Sequence, residues 1–356
     1  MKKLIRLDRL RWLLFLRMYS SGKAKNLSSQ YRMPSFGNIK QSDIRNVGII
    51  AHIDAGKTTV TERALFLAGV TKFIGDVDSG NTVTDFMELE RERGITIQSA
   101  AVSLMWGGKQ INLIDTPGHV DFTLEVERCI RVLDGAIVIL DASAGVQAQT
   151  ITVWRQAQKF SLPSVVFINK MDKTGADFEK SVESLTSRLG VGSPIPICLP
   201  TYSSDGQLTG IIDLLHHCFL DINQKNSAKW NKLTETSKNF NELMSGREEL
   251  LSKIADIDDA FAELLLSEPT AATESSSMDS EVLSAIKRLT KARKMVPVVC
   301  GSALRVTTSV VPLLDMCAEL LPAPNERNQA IPTIFGNKFC SLVFKVYLRY
   351  LTMESE

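Results

Sequence analysis

The sequence of 356 residues is poor in long apolar runs, in paired cysteines and, over its first segment, in acidic charge. No uninterrupted apolar stretch approaches the roughly eighteen residues that a membrane-spanning helix needs, because each candidate is broken by a charge, a glycine or a proline. A membrane-spanning reading is therefore set aside. The six cysteines, Cys129, Cys198, Cys218, Cys300, Cys317 and Cys340, include no C-x-x-C pair and have no histidine at ligand spacing. This pattern argues against a zinc site or a disulfide framework and for reduced thiols in a core, none of them a nucleophile.

Residues 1–42 hold ten Lys or Arg but a single acid, Asp8, so the rest of the chain carries 31 basic and 39 acidic residues. The opening "MKKLIRLDRLRWLLFLRMYSSGKAKNLSS" interleaves Arg with Leu, Trp and Phe and contains Ser, the composition of a mitochondrial transit peptide. A secretory signal needs a longer apolar centre than Trp12–Leu16, and the plain alternative is a disordered basic arm. Either way, residues 1–42 are left out of the fold. The acidic remainder argues against free nucleic-acid binding, which requires a basic stripe.

From Asp43 onward, apolar runs alternate with helical periods. Strands are expected at 45–51, 110–115, 135–142, 164–170 and 296–303, and helices at about 57–68, 120–132, 147–160, 177–189 and 310–321. Near-continuous Val/Ile runs separated by helices indicate an α/β fold with a mostly parallel sheet covered on both faces. "AVSLMWGGKQINLID" adds an antiparallel edge through a hairpin at Gly107-Gly108. Residues of about 200–295 read as an inserted α+β subdomain, with two amphipathic helices flanking a mobile "EPTAATESSSMDS". "FCSLVFKVYLRYL" alternates like a strand close to the last residue, so 43–325 is expected to form one domain and 326–356 the cut-off start of a second, β-barrel domain.

Four loops at strand ends carry the chemistry. "AHIDAGKTT" (Ala51, His52, Ile53, Asp54, Ala55, Gly56, Lys57, Thr58, Thr59) has the spacing of the phosphate loop G-x-x-x-x-G-K-[ST], with Ala51 in place of the first glycine. Gly56 admits backbone N–H groups to phosphates, Lys57 neutralises β and γ oxygens, and Thr58 offers a hydroxyl to Mg²⁺. In "DTPGH", Asp115 is placed for the Mg²⁺ shell, Gly118 for a γ-phosphate and His119 for orienting an attacking water, with Thr116 and Pro117 between them. "NKMD" (Asn169, Lys170, Met171, Asp172) can read guanine, because a carboxylate accepts from N1–H and N2–H₂ and adenine offers no such pair. The N–H groups of Ser302 and Ala303 in "CGSAL", which ends at Leu304, can meet guanine O6. Thr96 in "RGITI" is a candidate third Mg²⁺ ligand on a γ-phosphate-sensing segment. Convergence of these loops at the carboxyl ends of parallel strands predicts a site for Mg²⁺·GTP.

"AHIDAGKTT", "RERGITIQSAA", "DTPGHVDFTLEVER" and "NKMDKTGA" together resemble the translational GTPases of the elongation factor G class, over about Arg45–Phe344. "GDVDSGNTVTDFM", "DASAGV" and "TVWRQA" look most like the mitochondrial members that act in ribosome recycling. The resemblance implies a P-loop GTPase domain in the mitochondrial matrix. It also implies a monomer, stimulated by the mitochondrial ribosome, that works with ribosome recycling factor to separate subunits and is released after hydrolysis. A translocating paralogue and a truncated, non-catalytic GTP-binding product stand as alternatives. The resemblance implies catalytic roles for Lys57, Thr96 and His119, an apolar gate at Ile53 and Ile95, and a phosphate or monovalent-cation role for Asp54. One departure lies after "CGSAL", where "RVTTSVV" replaces the family's Lys-Asn-Lys-Gly turn and puts the packing of the 310–321 helix in question.

Overall fold

A computed structural model of the chain describes residues 39–71, 100–115, 128–223, 229–267 and 276–327. In chain order the strands are β1 Ile44–Ala51, β2 Ala100–Trp106, β3 Lys109–Asp115, β4 Gly135–Asp141, β5 Ser164–Asn169, β6 Pro194–Pro196, β7 Cys198–Tyr202, β8 Leu208–Asp213, β9 Cys218–Asp221, β10 Trp230–Lys232 and β11 Val296–Cys300. The helices are α1 Lys57–Leu67, α2 Ala148–Lys159, α3 Phe178–Leu189, α4 Phe240–Ala255, α5 Asp259–Ser267, α6 Ser276–Lys291, α7 Val311–Leu320 and α8 Pro324–Arg327.

Seven strands form the main sheet in the order β2-β3-β1-β4-β5-β11-β6, parallel throughout except for β2. Every residue of β4, β5 and β11 is buried, as expected of strands with helices over both faces. The three-residue β6, "PIP", closes one edge, where proline's missing N–H costs no ladder bond and blocks further pairing. At the other edge, Gly107 and Gly108 both take positive φ, 54° and 77°, the backbone a two-residue hairpin needs. In α2 the buried Thr150, Val153, Trp154 and Ala157 recur at helical spacing, so the "TVWRQA" stretch is largely a core face. The helix α3 starts at Asp177, whose carboxylate accepts the Lys180 N–H at 3.0 Å, and ends at Gly190 with φ 66°.

The insertion contains more than the two expected helices. Strands β7–β10 make a four-stranded antiparallel sheet, and α4, α5 and α6 pack on one another, with α4 against β6 and α6 against β11. Leu250, Ile254, Phe261, Val282, Ile286 and Leu289 are buried, as the periodicity predicts, while Ile257 and Leu264 are partly buried against the core. The polar stretch departs from expectation: its end, from Ser276, is already helix α6 rather than loop. Met278 is buried and Asp279 binds the Arg247 guanidinium, which holds that first turn in place.

The helix expected at 310–321 also forms. "RVTTSVV" supplies buried Val306 and Val310 and a short turn at Thr307–Val310, so the altered turn leaves α7 fully seated. Of the expected 120–132 helix, residues 128–132 are described: Arg128–Ile130 is helical and Arg131–Val132 is already a turn. The strand expected around 339–351 lies outside the described residues. Five cysteines are buried free thiols, and Cys340 is also outside the described residues. Among the described residues, no helix is long and apolar enough to cross a membrane.

Candidate nucleotide-binding site

The carboxyl ends of β1, β3, β5 and β11 bring "AHIDAGKTT", Asp115, "NKMD" and "CGSAL" together. The order of the main sheet reverses at β1, whose neighbours are β3 on one side and β4 on the other, and such a reversal opens a crevice above the strand ends. The β1–α1 turn bends sharply: Asp54 and Gly56 have φ of 63° and 89°, and α1 begins at Lys57. The N-terminal amides of an eleven-residue helix therefore face the crevice. Lys57 Nζ lies 2.8 Å from Asp115 Oδ1, with both side chains largely removed from water. Thr58 and Thr59 are partly exposed in the first turn, His52 and Ala55 are buried, and Ala51 ends β1. Burial pushes the His52 imidazole below its usual pKa and favours its neutral form.

Asn169, 2% exposed, ties three loops into one piece. Its Nδ2 donates to the Ala55 carbonyl at 3.0 Å, and its Oδ1 accepts the Ala303 N–H at 3.1 Å. Lys170, at φ 61°, donates through Nζ to the Asp54 carbonyl and pairs with Asp141 at 3.1 Å. Met171 is buried and its N–H donates to the Gly301 carbonyl at 3.2 Å. Asp172 is exposed, and its Oδ1 accepts the Ser302 hydroxyl at 2.5 Å.

The last loop differs in detail from expectation. The Ser302 N–H donates to Ser309 Oγ at 3.0 Å and the Ala303 N–H to Asn169, so both amides point at protein acceptors. Leu304, 66% exposed, stands at the rim. Thr96, Thr116, Pro117, Gly118, His119 and the gate residue Ile95 lie outside the described residues.

Several residues at the site belong to no motif. Buried Arg63 in α1 donates through Nε to the Ala303 carbonyl at 3.1 Å, and Gln149 Oε1 accepts the Ile53 N–H at 3.1 Å. At Asp141, burial alone would raise the carboxyl pKa, but the Ser143 hydroxyl and amide, together with Lys170, hold it at about 2. Only Asp141 gave a signal in the sequence, as an acid ending an otherwise apolar strand beside the motif-bearing ones.

The donor set fits a hard, oxygen-seeking cation: a hydroxyl at Thr58 and a buried carboxylate at Asp115, which pairs with Lys57 at the start of the same helix.

The chain matches the elongation factor Tu GTP binding domain family over residues 42–323. It is 46% identical over 344 residues to the mitochondrial ribosome-releasing factor 2 of Mus musculus, covering 93% of this chain and 43% of that protein. The Danio rerio protein of the same name is 49% identical over 323 residues, with 86% and 41% covered. The Drosophila willistoni protein of that name is 47% identical over 331 residues, with 91% and 43% covered. A crystal structure of a Thermus thermophilus protein superposes with a TM-score of 0.68 at 29% identity, covering 80% of this chain and 41% of that one. The chain thus spans about two fifths of the length of the curated relatives it matches.

Proposed function

Because this chain belongs to the elongation factor Tu GTP-binding domain family, we propose that its converging loops bind Mg²⁺·GTP and hydrolyse it to GDP and phosphate. The observation that carries the reading is the Asn169 amide, which locks the loop that would read the base to both the phosphate loop and the last loop. In this reading Asp172, steadied by Ser302, accepts from guanine N1–H and N2–H₂. The Lys170 stem packs on the base, and Ser302, Ala303 and Leu304 border guanine O6. Gly56 and the α1 amides receive phosphate oxygens while Lys57 exchanges Asp115 for the β and γ oxygens. Thr58, Asp115 and Thr96 would hold Mg²⁺, which when bound neutralises charge on the β- and γ-phosphates. Gly118 contacts the γ-phosphate, and His119 orients the attacking water behind Ile53 and Ile95.

For the complete protein, the names of the relatives, mitochondrial ribosome-releasing factors, favour action on the ribosomes of mitochondria, and we infer disassembly of post-termination ribosomes in the matrix. A monomer would act with ribosome recycling factor, GTP hydrolysis releasing both factors. Equilibrium titration with labelled GDP and ADP tests the first half of this reading, with tight binding of GDP alone expected. Light scattering of mitochondrial ribosomes, mixed with recycling factor and the complete protein, tests the second half. Subunit separation is the expected result; support of polypeptide elongation instead would assign translocation.

A further inference from the structure

The segment "DASAGVQAQT" (141–150) joins β4 to α2 and contains none of the phosphate, metal or base motifs. Its two ends nevertheless reach consecutive residues of the phosphate loop. At one end, Asp141 Oδ2 pairs with Lys170 at 3.1 Å and Lys173 at 3.3 Å, while Oδ1 accepts from the Ser143 N–H at 2.8 Å and hydroxyl at 2.6 Å. Lys170 passes this hold on, since its ammonium also donates to the Asp54 carbonyl. At the other end, Gln149 Oε1 takes the Ile53 N–H at 3.1 Å. Asp54 itself sits at φ 63°, a left-handed conformation that Asp tolerates better than most side chains and that these two contacts hold in place.

The segment in turn rests on α3. Ser184 Oγ accepts the Val146 N–H at 3.1 Å, Arg188 donates to the Val146 carbonyl at 2.6 Å, and the Ser181 hydroxyl donates to the Ala142 carbonyl at 3.2 Å. Gripped on both sides and braced from behind, the turn is held through Asp141 and Gln149, which lie outside the phosphate and base motifs.

We propose that Asp141 and Gln149 are positioning residues for nucleotide binding, acting through the Lys170 ammonium and the Ile53 amide to keep the phosphate loop in its binding shape. This inference rests on the nucleotide-binding reading above.

The test uses the full chain with Gln149→Met, Gln149→Glu and Asp141→Asn, which leave the core intact; Asn at 141 still offers Ser143 an acceptor. Two rates are read: amide hydrogen exchange over residues 51–56 without nucleotide, and release of fluorescent GDP. Loss of one such hydrogen bond should speed exchange in Gln149→Met about tenfold, with Gln149→Glu, which keeps the acceptor, exchanging at the parent's rate. Release of GDP should quicken about tenfold in both Gln149→Met and Asp141→Asn. Parental exchange and release in Gln149→Met and Asp141→Asn would overturn the proposal, as would rapid exchange in Gln149→Glu. If the parent binds no guanine nucleotide, that reading fails on its own account, and exchange over 51–56 still decides the positioning role.

Discussion

A methyl group placed on Gly56 would lie 2.4 Å from Nδ2 of Asn169, the atom that donates to the Ala55 carbonyl. Gly56 also has φ 89°, so a side chain there meets both a strained backbone and an amide that cannot withdraw without giving up its hydrogen bond. Gly56→Ala should destabilise the fold by about 1–3 kcal/mol and weaken GDP binding at least about tenfold. Thermal melting and a fluorescent-GDP titration check the two effects separately.

Asp172→Asn should exchange guanine for xanthine preference. The amide keeps an acceptor for the Ser302 hydroxyl and gains a donor that xanthine O2 can use, whereas guanine loses its paired acceptor. GTP binding should fall by roughly 10²-fold with XTP binding gained. Unchanged GTP preference in a competition titration would place base reading elsewhere.

A pH effect should come from the insertion. Burial alone would depress the His216 imidazole, but the Asp213 carboxylate 2.7 Å away, with Asp315 and Asp279 near, raises it to about 9. Its charged form is favoured in the fold, so its contribution is complete below the ordinary value of 6.5 and is lost as pH rises towards 9. His52 and His217 are held below 6.5 and act on the acid side, Asp315, at about 6, loses its contribution below this range, and the buried Cys218 thiol, at about 12, contributes only from about pH 9. Between pH 6.5 and 8.5, the parent should therefore lose stability faster than His216→Gln, by at most about 1.4 kcal/mol per pH unit. Urea unfolding across that range measures the difference.

Arg247 is among the largest fully buried side chains; it donates to the Leu214 carbonyl at 3.1 Å and to Asp279. Arg247→Met fills much of the same space but strands the carbonyl. Asp279, 37% exposed, can still turn to water. A loss of about 2 kcal/mol is expected, below the range for a wholly buried pair. Limited proteolysis should show new cleavage between 198 and 291 while the phosphate loop stays protected.

The main sheet was readable because its strands are buried on both faces: "GAIVILD" and "SVVFIN" allow no other reading once helices separate them. The motif loops were readable because their chemistry forces particular residues at fixed spacing. The α+β character of the insertion was expected, but its individual strands were not placed, because β7–β10 are short, "CLPTY" and "WNK" among them. Arg247 escaped for a related reason: a charged residue at a core position of α4 runs against the pattern that marks a buried face, and the carbonyl of a distant turn together with the Asp279 carboxylate makes it tolerable. Gln149 and Arg63 act on backbone atoms, which leave no mark on sequence spacing.

The register of the edge hairpin pairs Ala100, the first residue of β2, with Asp115, the last of β3. The chain enters and leaves this hairpin on the same rung, so Ala100 and Asp115 lie side by side. Since β3 is also hydrogen-bonded along β1, a slip of β2 by one residue would turn its own side chains to the opposite face while β3 stays in place. Ala100 and Asp115 thus share one bracket: a displacement of the first residue of β2 is delivered to the carboxylate that pairs with Lys57 across a single pair of residues.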